Sequence, residues 1–574
     1  MNARYREREG VALPRWRPAA VLAAFAVIAG VCAYRAVDLQ VTHRPFLEGQ
    51  GSARHLRVVD IPAHRGRISD RNGEPLAISA PVDSVWADPG ELLTAPERIP
   101  ELARMLELDQ RELRRYLGER SGRSFVYIKR HVNPDLAQMV AARGFPGVAL
   151  RREYRRFYPA GEVAAHVLGF TDIDDRGLEG IELAFNDWLS GEPGAKRVVK
   201  DRLGRVIEDV EQIRQPRPGR NLTLSLDRRL QYLAYRELKA AVKRHDARAG
   251  SVVMLDVRTG EVLAMVNQPA YNPNDRANLR AGRFRNRAVT DVFEPGSTIK
   301  PFTLAAAMDH GRFGPKTVID TGPGVMRVGG NTIKDASNYG RIDMATVLRK
   351  SSNVGAAKIA LQLDRGALWG QLAAVGFGSP SGTGFPGESG GSLPGKPPSR
   401  SIERATLAFG YGIAATPLQL ASAYAAIAND GRRVPVTFLR EDEPAAGEQV
   451  ISAEAARAVR RMMEAVVSEQ GTAPAARVNG YRVAGKTGTV RKAIAGGYSE
   501  DRHAALFAGM APASDPRLVT VVVVDEPGKE AYYGGQVAAP VFGNIMDGAL
   551  RLLNVPPDDV VPEDAMLAHS GGGR

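Results

Sequence analysis

With 574 residues, 44% of them apolar and 25% charged, the chain holds apolar material for roughly two to four folding units, which excludes wholesale disorder. The single cysteine, Cys32, excludes an intrachain disulfide and a multi-cysteine metal site. The nine histidines include no H-x-x-x-H pair, which leaves zinc chemistry without support. A net charge of +13 suits a nucleic acid, an anionic lipid or an acidic polymer, but it is spread along the chain as on an ordinary surface with spare arginines.

Pro18 to Tyr34 carries no charge and, as a helix, spans about 25 Å, the short end of a membrane crossing. Arg4, Arg6, Arg8, Arg15 and Arg17 precede it, which places residues 1–17 in the cytoplasm and everything after Arg35 outside, with Trp16 and Tyr34 at the two interfaces. Cleavage as a signal peptide lacks an A-x-A site, and lipidation of Cys32 is disfavoured by the bulky Val31 before it. Residues 18–35 are therefore expected to be an uncleaved anchor, and no later segment is apolar enough to span again.

Residues 36–60 read as a stalk, the first part of an α+β unit reaching to 220. Turn signals stand at Asn72-Gly73, Pro89-Gly90, Pro146-Gly147 and Pro193-Gly194. Between them β-like runs such as Val58–Ile61 alternate with charged helical stretches such as Glu101 to Leu117. A second unit is expected over 221–556. LTLSL at 222–226 alternates like a half-buried strand, and Asp227 reads as the cap of a helix through Leu238. Ser251 to Val266 reads as a hairpin about Thr259-Gly260. Helices are expected around 299–310, 344–363, 416–429 and 452–468, then strands at 504–510 and 518–524, the last apolar enough for a central strand covered on both faces. This order predicts an antiparallel sheet built from both ends of the unit around a helical insert. Residues 557–574, ending SGGGR, are expected to be disordered.

Three short motifs carry chemistry. FEPGSTIKPF puts Ser297 and Lys300 on one face at a helix start, where a neutral lysine can take a serine proton and backbone N–H groups face a developing anion. RKSSNVG sets Ser351 and Asn353 two apart, so that a turn can present a hydroxyl and an amide to a cleft. VAGKTGTV reads as a strand with Lys486 and Gly488 on one side and Thr487 and Thr489 on the other. Lys486 and the threonine hydroxyls suit a carboxylate, and Gly488 admits a substrate backbone. Each motif alone also fits a helix start, a turn or a guarded edge strand. In order, S-x-x-K, S-x-N and K-T-G make the signature of penicillin-binding proteins and class A β-lactamases, with Ser352 standing where S-D-N has aspartate.

With these three motifs in order, the chain resembles a class B penicillin-binding protein over nearly its whole length, of the division-specific, FtsI-like type called penicillin-binding protein 3. RGRISDRNGEPLA (65–77), YPAGEVAAHVLGF (158–170) and GLEGIE (177–182) resemble pedestal motifs of that family. AFGYGIAATPLQLASAYAAIANDG (408–431) and YYGGQVAAPVF (532–542) resemble its catalytic half. The resemblance implies a penicilloyl-serine transferase domain of α+β class behind a transmembrane helix and a pedestal, and a septal peptidoglycan D,D-transpeptidase. Ser297 would attack the bond between the last two D-alanines of a stem peptide, with Lys300 as base. Ser351 would relay a proton to the departing D-alanine, and Asn353 would orient the donor. Lys486, Thr487 and Thr489 would hold the terminal carboxylate, and the N–H groups of Ser297 and Thr489 would form the oxyanion hole. β-Lactams would acylate Ser297. Implied partners are stem peptides, the membrane and an FtsW-like glycan polymerase; neither a nucleic acid nor a cofactor is expected.

Physical reasoning adds that Lys486 and Arg491 help keep Lys300 neutral, and that Tyr498, Tyr532 and Tyr533 line the cleft. An elongation-type class B enzyme, a β-lactam sensor or scaffold, and minor D,D-carboxypeptidase activity are the alternatives. A β-lactamase needs neither anchor nor pedestal.

Overall fold

The computed structural model describes residues 16–43, 56–200, 206–275, 281–311, 313–441, 443, 446–494, 496–528 and 531–559. The arginines expected in the cytoplasm before Trp16 and the SGGGR end lie outside them. The chain forms two compact units that interleave in sequence: Met1–Ala63, Val82–Glu153 and Glu192–Arg217 in the first, and His64–Pro81, Tyr154–Gly191 and Pro218–Arg574 in the second.

In the first unit, helix α1 (Trp16–Val37) continues as one wider turn to Thr42. Its 22 residues reach about 33 Å, enough to cross a hydrocarbon core, and none of its side chains is buried. It outruns the expected 18–35: Arg35, in the last turn of a helix whose end favours cations, stays helical and pairs with Asp38 at 2.7 Å. Strands β1 (Leu56–Ile61), β5 (Gly194–Lys200) and β6 (Val206–Arg214) form an antiparallel sheet in the order β1-β5-β6. The second half of β2 (Pro75–Ala87) pairs with β3 (Val126–Val132) and with β4 (Val148–Phe157). Val85, Val126, Leu102, Leu117 and Val140 make their core with short helices. Two expectations are corrected here. Pro89-Gly90 opens a short helix rather than a turn, because Asp88 accepts from the N–H groups of Gly90 and Glu91. The stretch from Glu101 to Leu117 is two helices, interrupted at Glu107 (φ 55°) and restarted by the Asp109 cap.

The second unit is built on an antiparallel five-stranded sheet. Its strands are β7 (Ala249–Asp256), β8 (Val262–Gln268), β9 (Ala484–Ile494), β10 (Gly497–Ala511) and β11 (Leu518–Asp525), in the order β8-β7-β11-β10-β9. LVTVVVV is buried throughout, as a strand with two neighbours and two covered faces must be. Helix α2 (Arg228–Arg244), capped by Asp227, packs on the sheet and on the last helix, α8 (Gly534–Leu552). Between hairpin and returning strands lie α3 (Lys300–Asp309), α4 (Met344–Arg349), α5 (Asn353–Gln362), α6 (Pro417–Ala428) and α7 (Ala453–Val467).

Three readings change. The helix expected over 344–363 breaks at Ser351, which sits at φ 57°, and restarts at Asn353 with Ser352 as its cap. LTLSL is not a half-buried strand: Leu222–Thr223 alone forms a strand, Leu224 makes a single bridge to Leu439, and Ser225 is buried, donating from Oγ to Val262 O at 2.8 Å. Pro557 to Asp559, expected to be tail, are held: Asp558 accepts from Arg482 N (2.7 Å) and Ser514 Oγ (2.6 Å).

The pedestal-like segments 65–77 and 177–182 meet inside this unit. Glu182 is fully buried between Arg65 (2.8 Å) and Arg156 (2.6 Å), and Arg65 also donates to Asn186 Oδ1 and Ser190 Oγ. The buried carboxylate offsets the cost of burying two guanidinium groups and ties the two segments together.

Candidate active site

Ser297 lies in a tight turn, Gly296–Ile299, that runs directly into α3. The turn is clamped by the 408–415 segment: Gly296 N donates to Gly410 O (3.2 Å), Thr303 Oγ1 to Ala408 O (2.8 Å), and Phe293 N to Ala415 O (3.0 Å). Gly410 is required here, because it has φ 85° and a Cβ on it would fall 2.1 Å from Gly296 O.

Lys300 is fully buried. Its Nζ stands 3.0 Å from Ser297 Oγ, 2.8 Å from Asn353 Oδ1, 3.2 Å from Ser351 Oγ and 2.5 Å from Ser351 O. Lys486, on β9, is equally buried, and its Nζ lies 3.0 Å from Ser351 Oγ and 3.0 Å from Thr487 O. One serine hydroxyl thus sits between two amines. Burial is the main force holding Lys300 well below the ordinary lysine range; the neighbouring Lys486 pushes the same way and Asp335 opposes both. Burial alone brings Lys486 down to about 7.

The structure thus brings Ser297, Lys300, Ser351, Asn353 and Lys486 together, with Thr487 adjoining: its Oγ1 is 3.3 Å from Lys486 Nζ and 2.9 Å from Thr472 Oγ1. Other expected residues are placed differently. Gly488 faces the molecule itself, since a Cβ there would meet Thr298 Cγ2 at 3.0 Å and Pro295 O at 3.2 Å. It admits the nucleophile's turn against β9, not a substrate backbone. Thr489 Oγ1 accepts from Gly534 N at 3.0 Å. Arg491 is exposed, opposite His503, and does not contribute to the depression of Lys300: strand alternation gives it the face of Thr489, not that of Lys486. Tyr498 donates to Glu294 Oε1 (3.1 Å) and meets the Tyr411 ring edge-on. Tyr532 stacks on His503 and on Tyr533, just before α8. Among the described residues, none of the three tyrosines hydrogen-bonds to the serine–lysine cluster.

Sequence reasoning missed Asp335 and Glu294. Asp335 accepts from Asn353 N (2.5 Å), Val354 N (3.0 Å) and Ser352 Oγ (2.5 Å), and so fixes the Ser351–Asn353 loop at the start of α5. Glu294 accepts from Tyr498 and from Gly412 N (3.0 Å). Asp335 stands in no spaced motif, and Glu294, although inside FEPGSTIKPF, is not one of its spaced serine and lysine positions. The only signal was the loop's need of a helix cap.

The site has a buried amine within reach of a serine at a helix start, a second amine on an edge strand and a serine hydroxyl between them. Residues 250–547 fit the family model of the penicillin binding protein transpeptidase domain, and residues 60–224 that of the penicillin-binding protein dimerisation domain. The chain belongs to the class B penicillin-binding proteins. It is 43% identical over 568 residues to the peptidoglycan D,D-transpeptidase FtsI of Escherichia coli K12, covering 97% of this chain and 95% of that one. It is 42% identical over 539 residues to the probable peptidoglycan D,D-transpeptidase PbpC of Pseudomonas aeruginosa, covering 94% and 95%. Among solved structures, the transpeptidase domain of Burkholderia pseudomallei penicillin-binding protein 3 matches at 45% identity and TM-score 0.54, over 58% of this chain and 97% of that one. Penicillin-binding protein 3 of Mycobacterium tuberculosis, complexed with aztreonam, matches at 30% identity and TM-score 0.68, over 87% and 98%. This class B protein is a serine-type D,D-transpeptidase of α+β fold with one apolar N-terminal helix fit for a membrane.

Proposed function

We propose that this enzyme cross-links septal peptidoglycan through an acyl-enzyme on Ser297, and that the FtsI-named relatives favour this over an elongation-type or sensor role. The observation that carries the mechanism is Ser297 Oγ at 3.0 Å from an amine whose hold on its proton burial weakens well below that of an ordinary lysine. Neutral Lys300 takes the Ser297 proton as Oγ attacks the carbonyl between the two terminal D-alanines. The negative charge on that oxygen meets the backbone N–H groups of Ser297 and Thr489. Lys486 and the Thr487 hydroxyl hold the terminal carboxylate, and Asn353 orients the donor amide. Ser351, between the two amines, passes the proton to the nitrogen of the departing D-alanine. The amine of a second stem peptide then attacks the ester carbonyl, giving up its proton through the same lysine and restoring Ser297. A β-lactam follows the first half and stays bound.

In this reading the anchor covers residues 18–35, with 1–17 in the cytoplasm, a pedestal at 36–220 and the transpeptidase domain at 221–556 on the far side of the membrane. The exposed apolar surface of α1 supports contact with an FtsW-like polymerase at the septum. To test the chemistry, the full-length chain and its Ser297→Ala variant are incubated with a fluorescent penicillin and followed by intact mass for hours. A lasting adduct on the wild type alone is expected. No adduct on folded wild type would remove Ser297 from the mechanism, and rapid loss of the adduct with drug hydrolysis would mean a β-lactamase.

A further inference from the structure

The 410–412 turn that packs on Gly296 also walls a groove of about 800 Å³, closed on its other side by the loop 394–399 and by Arg365. Its Tyr411–Gly412 wall also contacts residues next to the nucleophile's turn. Gly412 N donates to Glu294 Oε1, three residues before Ser297, and Tyr411, on the groove wall, meets Tyr498. Pro394, Pro397 and Tyr411 line it. Its rim is cationic. Arg365 and Lys396 are both exposed, and among the described residues neither has a carboxylate within ion-pair distance. Glu403, also on the lining, is engaged by Arg400 at 2.8 Å.

The geometry points to this groove as the seat of the carboxylate-bearing part of a stem peptide, away from its reacting D-alanine end. Arg365 and Lys396 hold carboxylates there, and Tyr411 and the prolines cover the aliphatic stem. The assignment rests on the transpeptidase reading above. Donor and acceptor peptides share this chemistry.

The test compares the full-length chain in detergent micelles with its Arg365→Ala/Lys396→Ala variant, using three substrates. Penicillin, too short to reach the groove, should acylate both at similar rates. If the donor sits in the groove, KM for D-alanine release from a pentapeptide rises about tenfold in the variant, while a short N-acyl-D-Ala-D-Ala is unaffected. If the acceptor sits there, D-alanine release holds but cross-linked dimer falls about tenfold and the hydrolysed peptide rises. Unchanged pentapeptide KM together with unchanged dimer yield would overturn the assignment. So would an equal loss on penicillin, which would place the two cations in service of the nucleophile. A wild type that neither acylates nor releases D-alanine would instead undo the transpeptidase reading.

Discussion

Two places in the second unit bury a pair of basic side chains, and they resolve the cost in opposite ways. Around Glu182, Arg65 and Arg156 stay charged, because a guanidinium does not give up its proton, and the buried carboxylate between them supplies the opposite sign. Around Ser351, Lys300 and Lys486 have no carboxylate between them, only a hydroxyl. Amines can deprotonate; burial favours this at both, and the charge of Lys486 adds to it at Lys300. A compensated cluster is a structural joint. An uncompensated one makes the proton of Lys300 easy to lose, with Lys486 beside it as the proposed carboxylate holder. Arginine at the first site and lysine at the second are therefore not interchangeable.

The largest effect should come from removing the base. Lys300→Ala is expected to slow penicillin acylation about a thousandfold, read by stopped-flow fluorescence, while the protein melts no lower than wild type, since a buried amine is lost. A variant acylating within tenfold of wild type would mean that Ser297 is activated by another group. Next is the compensated cluster. Glu182→Gln leaves two guanidinium groups buried without their anion and should destabilise the second unit by about 3–5 kcal/mol in a denaturant titration. The fraction still folded should acylate normally. Unchanged stability would show that water reaches the cluster and that the burial argument fails there.

Much of this contrast was legible from residue spacing. Three apart at a helix start was enough to pair Ser297 with Lys300, and the ordered motifs brought Ser351, Asn353 and Lys486 to them. The sheet order followed from an apolar hairpin early and apolar strands late. What failed shares one cause: partners distant in sequence that no local period encodes. Ser225 broke the alternation of LTLSL because its hydroxyl finds a carbonyl in β8. Gly488 was read as space for a substrate, yet the space is filled by the turn before Ser297. Arg491 was credited with charge acting on Lys300, although alternation along the same strand already turned it away from Lys486. Asp335 stands 17 residues before the serine it binds, in an irregular loop.

An intermediate effect tests the lysine pair itself. In the folded enzyme Lys486 titrates near about 7, while an unfolded lysine titrates near about 10.4. The folded state therefore binds fewer protons than the unfolded one between those values, and burying this amine costs most below about pH 7 and nothing above about pH 10.5. Lys486→Met should raise stability by on the order of 2 kcal/mol at pH 7, with the gain shrinking as pH rises through that window. The same variant removes the repulsion acting on Lys300, so the acid limb of the acylation–pH profile should move to higher pH. A stability gain that does not vary with pH would mean that Lys486 is not buried as an amine.

The smallest effect separates holding from charging. Asp335 both anchors the Ser351–Asn353 loop and pulls the Lys300 titration upward against burial. Asp335→Asn keeps an acceptor for one N–H but removes the negative charge. Acylation should fall only several-fold, as expected when a charged cap is replaced by a neutral one worth about 1 kcal/mol less. The acid limb should move to lower pH, because Lys300 loses the one anion favouring its protonated form. If the rate falls and the limb stays, Asp335 is a positioning residue that acts through the loop alone. If the limb moves without a change in rate, the loop holds itself and Asp335 acts through its charge. A shift of the limb to higher pH would contradict the electrostatic account of the site, because no remaining carboxylate replaces the one removed.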